Sequence, residues 1–270
     1  MNIRSIPVGG GSPLVLFAGP CVVENREITL RTADAVKRVA SRHGIGVVFK
    51  SSYLKANRTS GKSFTGIGMD AALAILREVS SSLDMPVITD VHAESEVPAA
   101  AEAADVLQIP AVLCRQTALL EAAGRSGRAV NIKKGQFLAP ADMAYAAAKV
   151  TATGNTNVFL TERGTTFGYH NLVVDMRSLV IMRELGYPVI FDATHSVQLP
   201  GGGAGETAGE RQFILPLARA AVAVGCDGLF LEVHPDPPHA LSDAASQFPL
   251  DRLDRLLTEV LAVDRAVRGR

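Results

Sequence analysis

The sequence has no surplus of charge of either sign: 27 Lys and Arg stand against 27 Asp and Glu, a formal net charge of zero. A dedicated nucleic-acid binder normally carries a basic excess, so that class is excluded. No run of 18 or more apolar residues occurs, which excludes a transmembrane helix. Cysteine is scarce, with only Cys21, Cys114 and Cys226. An odd number of thiols without an export signal argues against a disulfide framework and predicts reduced cysteines in a cytoplasmic protein. No GxGxxG follows the first apolar run, and no Pro/Ser-rich linker or composition break divides the chain. A two-domain dinucleotide-binding arrangement therefore loses. Lysine is also sparse, 7 residues against 20 Arg, which makes the position of each lysine informative.

What is present is a core-forming chain. Of 270 residues, 47% are hydrophobic, so a disordered or fibrous chain is excluded. Short runs rich in Val, Ile, Leu and Phe recur at 14–18, 46–50, 86–90, 106–109, 129–133, 157–161, 188–192 and 228–232. Stretches of helical character lie between them, among them 27–43, 70–82, 140–153, 174–185 and 210–225, and a last helix at 250–268 follows the eighth run. Strands apolar on both faces and alternating with helices indicate a parallel sheet. Eight such units in about 250 residues is the size of one (β/α)8 TIM barrel. The expected architecture is thus a single barrel domain over 1–270 with a short N-terminal extension, whose residues 1–12 could plug the barrel's far end. Three connections after strands are long, at 51–67, 196–207 and 234–249. The second contains Gly201, Gly202, Gly203, Ala204 and Gly205 and is flexible enough for a lid.

In such barrels the chemistry sits where the strands' C-terminal ends converge. Taken in order, those ends carry Cys21; Lys50, Ser51 and Ser52; Asp90 and His92; Gln108, with Arg115 beyond; Lys133 and Lys134; Glu162 and Arg163; Asp192 and His195; and Glu232 and His234. A structural loop needs only a cap or a turn, so an ionisable or polar group from every strand points to a site. Lys50, Lys133 and Arg163, joined by Lys55, Arg58 and Arg115, would repel one another around one cavity unless anions bind among them. Phosphates or carboxylates are implied. A second set, Cys21, His195, Glu232 and Asp243, mixes thiolate, imidazole and carboxylates. That mixture suits one borderline divalent metal such as zinc, iron, manganese or cobalt; no short spacing links the four. His92 and His234 read as supporting or core residues, and Cys114 and Cys226 as structural.

The segments Ala18-Gly19-Pro20-Cys21, Phe49-Lys50-Ser51-Ser52, Lys55-Ala56-Asn57-Arg58, Gln108-Ile109-Pro110-Ala111 and Cys114-Arg115-Gln116-Thr117 resemble the 3-deoxy-manno-octulosonate 8-phosphate synthases. So do NIKKGQF at 131–137, TERGTTFGY at 161–169, DATHSVQ at 192–198 and EVHPDP at 232–237. The resemblance spans essentially the whole chain. It implies condensation of phosphoenolpyruvate with arabinose 5-phosphate and release of phosphate, a step towards lipopolysaccharide. Cys21 after Gly-Pro is similar to the metal-dependent members, in which Cys21, His195, Glu232 and Asp243 match the metal ligands. The resemblance further implies that Arg115, Lys133, Arg163 and the backbone of Ala111 hold the phosphate of phosphoenolpyruvate. Lys50, Ser52 and Lys55 would face its carboxylate and the reacting centre, and Gln108 would line the same pocket. Asn57, Arg58 and Thr59 would reach the sugar, with Arg58 on the pentose phosphate across a subunit boundary of a homotetramer. Asp90 and His195 are the candidate proton handlers. Thr59 stands where Ser is common and Ala118 where Asp is usual; neither departure removes a chemical group that the reaction needs. The rivals are the sister condensation with erythrose 4-phosphate and a non-catalytic phosphosugar-binding barrel.

Overall fold

A computed structural model describes residues 1–56, 64–202 and 208–269. Eight parallel strands close on themselves: β1 (Val15–Gly19), β2 (Val47–Lys50), β3 (Val87–Asp90), β4 (Val106–Ile109), β5 (Ala129–Lys133), β6 (Val158–Glu162), β7 (Val189–Asp192) and β8 (Gly228–His234). Each pairs with the next, and β8 returns to β1 with Glu232 opposite Gly19. Helices α1 (Arg26–Arg42), α2 (Met69–Ser82), α3 (Val97–Ala103), α4 (Thr117–Arg125), α5 (Met143–Thr151), α6 (Arg177–Glu184), α7 (Ile214–Val224) and α8 (Leu253–Arg268) ring the strands. The expected (β/α)8 barrel is therefore the observed fold. Strand bounds agree with the sequence pattern to within one residue except in β8, which runs on to His234 because Phe248–Pro249 pairs with its end. Helices α3 and α4 fill connections whose bounds the periodicity left open; they are short, at 7 and 9 residues, so few turns are available to display a period.

Every barrel strand is buried along its whole length. Side chains alternate across a strand, and the two faces meet different partners. Outward residues such as Leu16, Phe49, Leu107, Leu160 and Leu231 pack with the helices in one apolar cluster. Helix α1 shows the complementary stripe, burying Thr29, Ala33, Val36 and Ala40 after an Asn25 cap that accepts a hydrogen bond from the Ile28 amide. Inward residues Val15, Phe17, Val48, Ile88, Val106, Ala129, Phe159, Ile190 and Phe230 form a second cluster inside the barrel.

The N-terminal segment closes that inner cluster from below. Asn2–Ile3 and Ile6–Pro7 pair as a small hairpin, and Ile3 and Val8 join the barrel-interior cluster with Met1 and Ile6 alongside. The fit is close: a Cβ on Gly46 would lie 2.5 Å from Ile6 Cγ2. The anticipated plug over the end opposite the strand C-termini is thus present. At the other end, Gln198–Leu199 pairs with Ala208–Gly209, making a hairpin of the candidate lid connection; Gly203, Ala204 and Gly205 of that lid lie outside the described residues.

Removing the plug's anchor tests its contribution. Ile3 is 2% exposed, so Ile3→Ala should lower unfolding stability by about 2–4 kcal/mol with an unchanged denaturant slope. A loss below about 0.5 kcal/mol, the range of ordinary surface substitutions, would show that the hairpin does not seal the barrel.

Candidate functional site

The inward face that is apolar low in the barrel becomes polar above it, on the next alternate residue of each strand. Gln108, Asn131 and Thr161 form a buried belt: Asn131 Nδ2 donates to Gln108 Oε1 at 3.1 Å, and Thr161 Oγ1 donates to Asn131 Oδ1 at 2.7 Å. Above the belt stand Lys50, Asp90, Lys133, Asp192 and Glu232, all at most 5% exposed. Unpaired charges are not stable at such burial, and these are matched. Lys50 Nζ lies 2.6 Å from Glu232 Oε1 and 3.1 Å from the Cys21 carbonyl. Lys133 Nζ lies 2.5 Å from Asp192 Oδ2 and 4.0 Å above the Phe230 ring centroid. Lys55 adds a second cation 3.7 Å from Glu232. Gly19 is required at the end of β1, because a Cβ there would fall 2.0 Å from the Lys50 carbonyl oxygen.

Three of the four expected metal-binding groups converge. Ligand atoms of Cys21, Glu232 and Asp243 lie within 4.8 Å of one another. Cys21 Sγ is 2.7 Å from Ser242 Oγ and 3.2 Å from Asp243 Oδ2. The Cys21 amide donates to Gln247 Oε1 at 3.3 Å, while Gln247 Nε2 donates to the Ser242 carbonyl at 2.8 Å. Asp243 adopts a left-handed backbone, φ 49°, and its carbonyl accepts from the amides of Ser246 and Gln247. Burial pushes the Cys21 thiol well above its ordinary range, and the neighbouring Asp243 and Glu232 carboxylates push it the same way. A cation seated among these groups would reverse that balance, because thiols deprotonate on coordination. Glu232 Oε2 is buried without a hydrogen-bond partner among the described residues. This donor set fits a divalent ion.

The fourth group, His195, stands beside that trio. Its Nε2 is 3.5 Å from Glu232 Oε1. Its Nδ1 is 2.7 Å from Asp192 Oδ2 and its backbone amide donates to Asp192 Oδ1 at 2.9 Å. A proton on Nδ1, facing Asp192, would leave the Nε2 lone pair on the Glu232 side; Lys133 Nζ lies 3.4 Å from the same Nδ1. A carboxylate behind a ligating imidazole is a recurrent means of fixing its tautomer. Burial lowers the His195 pKa even though Asp192 opposes the shift. Arg163, 5% exposed, donates from Nη2 to Gln198 Oε1 at 2.8 Å. Its Nη1 is buried with no partner among the described residues.

Asp90 lies across the mouth. His92 Nε2 is 3.3 Å from its Oδ2, and on the other side His92 Nδ1 is 3.4 Å from Glu96 Oε2. Tyr53 donates to that same Glu96 oxygen at 2.5 Å. Burial would raise the Asp90 pKa, but Lys55 and the hydrogen bond from His92 outweigh it and hold the carboxyl well below its usual range.

The structure thus assembles Cys21, Lys50, Lys55, Asp90, Lys133, Arg163, His195, Glu232 and Asp243. Ser52 is buried on the same side, its Oγ without a partner among the described residues, and Ala111 is buried after β4. Arg115 differs: it is exposed, in a groove with Asp142, Tyr145 and Lys149, and no described contact joins it to Lys133 or Arg163. Lys134 also turns away, 3.5 Å from Glu162 and bonded to Thr165 Oγ1 at 3.1 Å. Carboxylates also lie beside Lys50, Lys55 and Lys133, Glu232 being shared by the first two, so these cations are paired within the protein as well as facing the mouth. Asn57, Arg58, Thr59 and Lys62 lie outside the described residues. Sequence reasoning placed Asp192 at a strand end without giving it a role. It gave no sign of Ser242, Gln247 or Glu96, whose partners are distant in the chain or local to a loop.

Comparison with known proteins gives one consistent result. A family model described as the DAHP synthetase I family matches residues 2–268. A "2-dehydro-3-deoxyphosphooctonate aldolase" of Syntrophotalea carbinolica is 57% identical over 269 residues, covering 100% of this chain and 97% of that protein. Proteins of the same name from Trichlorobacter lovleyi and Geobacter sulfurreducens are 55% and 53% identical, each over 99% of this chain and 98% of their own length.

Charge matching in the mouth is testable without substrate. Asp192→Asn leaves Lys133 buried beside Lys50 and Arg163 without its counter-ion, and should cost about 3–5 kcal/mol at pH 7. Burial would raise the Asp192 pKa, but His195 and Lys133 bring it well below the ordinary 3.8. The contribution is therefore complete above that ordinary value and is lost as pH falls through the lower folded-state value. Urea unfolding should show a constant gap between wild type and variant from pH 7 to pH 5. A gap that closes within that window would refute the assignment.

Proposed function

Because the chain belongs to the DAHP synthetase I family, we propose that it condenses phosphoenolpyruvate, D-arabinose 5-phosphate and water to 3-deoxy-D-manno-octulosonate 8-phosphate and phosphate. The observation that carries this reading is a mouth in which buried cations, a proton-accepting carboxylate and a thiol–carboxylate–imidazole set face one another. Its relatives at 53–57% identity carry the corresponding aldolase name. Arg163 and Lys133 would grip the phosphate of phosphoenolpyruvate. Nη1 of Arg163, without a partner among the described residues, supplies a donor, and burial together with Lys50 and Arg163 lowers the Lys133 pKa although Asp192 opposes it. Lys50, Lys55 and Ser52 would face the substrate carboxylate, and Gln108 and the Ala111 backbone would line the same pocket. Arg115, exposed in the groove beside α5, would have to turn its side chain inward to join the phosphate site. Asn57, Arg58 and Thr59 would receive the sugar phosphate.

In the reaction, C3 of phosphoenolpyruvate bonds to the aldehyde carbon of the sugar, water adds at C2, and phosphate leaves by cleavage of the C2–O bond. The fixed cations offset positive charge developing at C2 while holding the anionic groups in place. Asp90, ionised at neutral pH, would accept a proton from the water, and His195 Nε2 would be the alternative acceptor only where its lone pair is not given to an ion. Cys21, His195, Glu232 and Asp243 would hold one divalent ion, zinc, iron, manganese or cobalt. Such an ion, when bound, polarises an oxygen or orients water. The same reading includes a cytoplasmic homotetramer with Arg58 reaching across a subunit boundary. It is supported by three unpaired cysteines and by the resemblance. No helix among the described residues is long and apolar enough to cross a membrane.

A phosphate-release assay tests the reading directly. Release should be rapid with arabinose 5-phosphate and slower with erythrose 4-phosphate by at least about 100-fold, within the roughly 10⁴- to 10⁵-fold that hydrogen-bonding sites reach. Equal turnover, or binding without release, would support the sister reaction or the idle barrel instead. Arg163→Ala should lower kcat/KM by roughly 100- to 1,000-fold, the loss expected of one charge-stabilising donor. Treatment with a chelator should abolish turnover and added divalent ion restore it; full activity in metal-free protein would overturn the ligand assignment.

A further inference from the structure

The four candidate metal ligands lie on separate segments, and something must hold those segments in register. Cys21 follows β1, Glu232 lies in β8, and Asp243 sits in the irregular connection after it. Gln247 ties Cys21 to Ser242 from one side. On the other side is Glu24, three residues beyond Cys21 and only 7% exposed. Its Oε1 accepts a hydrogen bond from the Leu241 amide at 2.8 Å, two residues before Asp243. Its Oε2 lies 3.6 Å from Nε2 of His234, two residues after Glu232, beyond hydrogen-bond distance, and that nitrogen has no hydrogen-bond partner among the described residues. His234 is 2% exposed, and its Nδ1 accepts from the Asp236 amide at 3.0 Å. The remaining ring proton is therefore on Nε2, facing Glu24. One buried carboxylate on the Cys21 segment is thus hydrogen-bonded to the Asp243 loop and faces the Glu232 strand.

We propose that Glu24 is the positioning residue of the metal site, a clamp that holds the Cys21 segment against the Asp243 loop by bonding the Leu241 amide, with His234 of the Glu232 strand beside its other oxygen. The proposal rests on the metal reading above. A carboxylate with no interior role would be expected to turn to solvent, because burying it is unfavourable. Here it is held against two groups that each lie two residues from a ligand. No glycine lies within 241–247, yet Asp243 is held in a left-handed conformation, so the loop depends on tethers at both ends to present its carboxylate.

The test uses the full chain loaded with cobalt(II) and, separately, competition for zinc against a chromophoric chelator. Glu24→Ala should weaken zinc binding by roughly 10- to 100-fold and alter the thiolate-to-cobalt absorption, while thermal unfolding of the metal-free protein reports any loss of fold. Glu24→Gln keeps an acceptor for the Leu241 amide and should return affinity to within about threefold of wild type, well inside the outer-shell range. Should the alanine variant not fold, Glu24→Asp keeps the charge and withdraws the acceptor, and about tenfold weaker binding is expected. Wild-type affinity and an unchanged cobalt spectrum in Glu24→Ala, or in Glu24→Asp where that variant stands in, would overturn the proposal alone, as would an equal loss in Glu24→Gln. A wild-type protein that binds no divalent ion would overturn the metal reading and this proposal with it.

Discussion

The buried pair of Lys50 and Glu232 is the interaction on which the site depends. Both side chains are essentially without solvent contact, 1% and 0% exposed, and their charged atoms are 2.6 Å apart. Desolvating two such charges is unfavourable by several kcal/mol per ion, so the pair persists only because additional bonds satisfy it. Lys50 also donates to the Cys21 carbonyl, and Glu232 has Lys55 and His195 within 4 Å. Burial alone would raise the Glu232 pKa, yet Lys50, His195 and Lys55 together bring it below the carboxylate range. Glu232 is therefore an anion at any pH where the protein works, and the groups around it are arranged by that charge.

From this pair the electrostatics spread in two directions. Towards β1 lies the Cys21, Ser242 and Asp243 cluster, acid-rich and suited to a cation. Towards β5, β6 and β7 lie Lys133, Arg163 and Asp192, where cations outnumber their immediate partners and one donor of Arg163 has no partner among the described residues. One mouth so holds a cation-seeking half and an anion-seeking half. A reaction joining a phosphorylated enol to a polarised aldehyde requires both, and requires them close together.

Much of this is legible in the amino-acid order alone. The alternation of apolar strands and helices predicts the barrel, and the strand bounds agree to about a residue because strands buried on both faces are continuous apolar runs. The polar residue at each strand end is equally visible, as is the thiol–imidazole–carboxylate set. Less legible are partnerships. Lys134 and Lys133 are neighbours in sequence and look alike, but strand alternation sends Lys133 into the mouth and Lys134 towards Glu162 on the other face. Arg115 reads as a mouth cation from its position after β4, whereas the turn at Ala111–Leu113 carries it to an exposed groove beside α5. Glu24 and Gln247 carry no motif; each is tied by a hydrogen bond to a residue more than 200 positions away, Leu241 and Cys21 respectively.

The sequence by itself determined the period of the strands, and with it which residues face inward and which of those are ionisable, because side-chain direction in a strand is a local property. Closure of the barrel decided the rest. Only when β8 pairs with β1 does Glu232 come beside Cys21 and Lys50, and only the loop from Leu241 to Gln247 brings Asp243 to them. Those contacts join segments from opposite ends of the chain, so no local pattern encodes them. Charge neutralisation in a dry interior then fixes which cations are bound by carboxylates and which donor is left for a ligand.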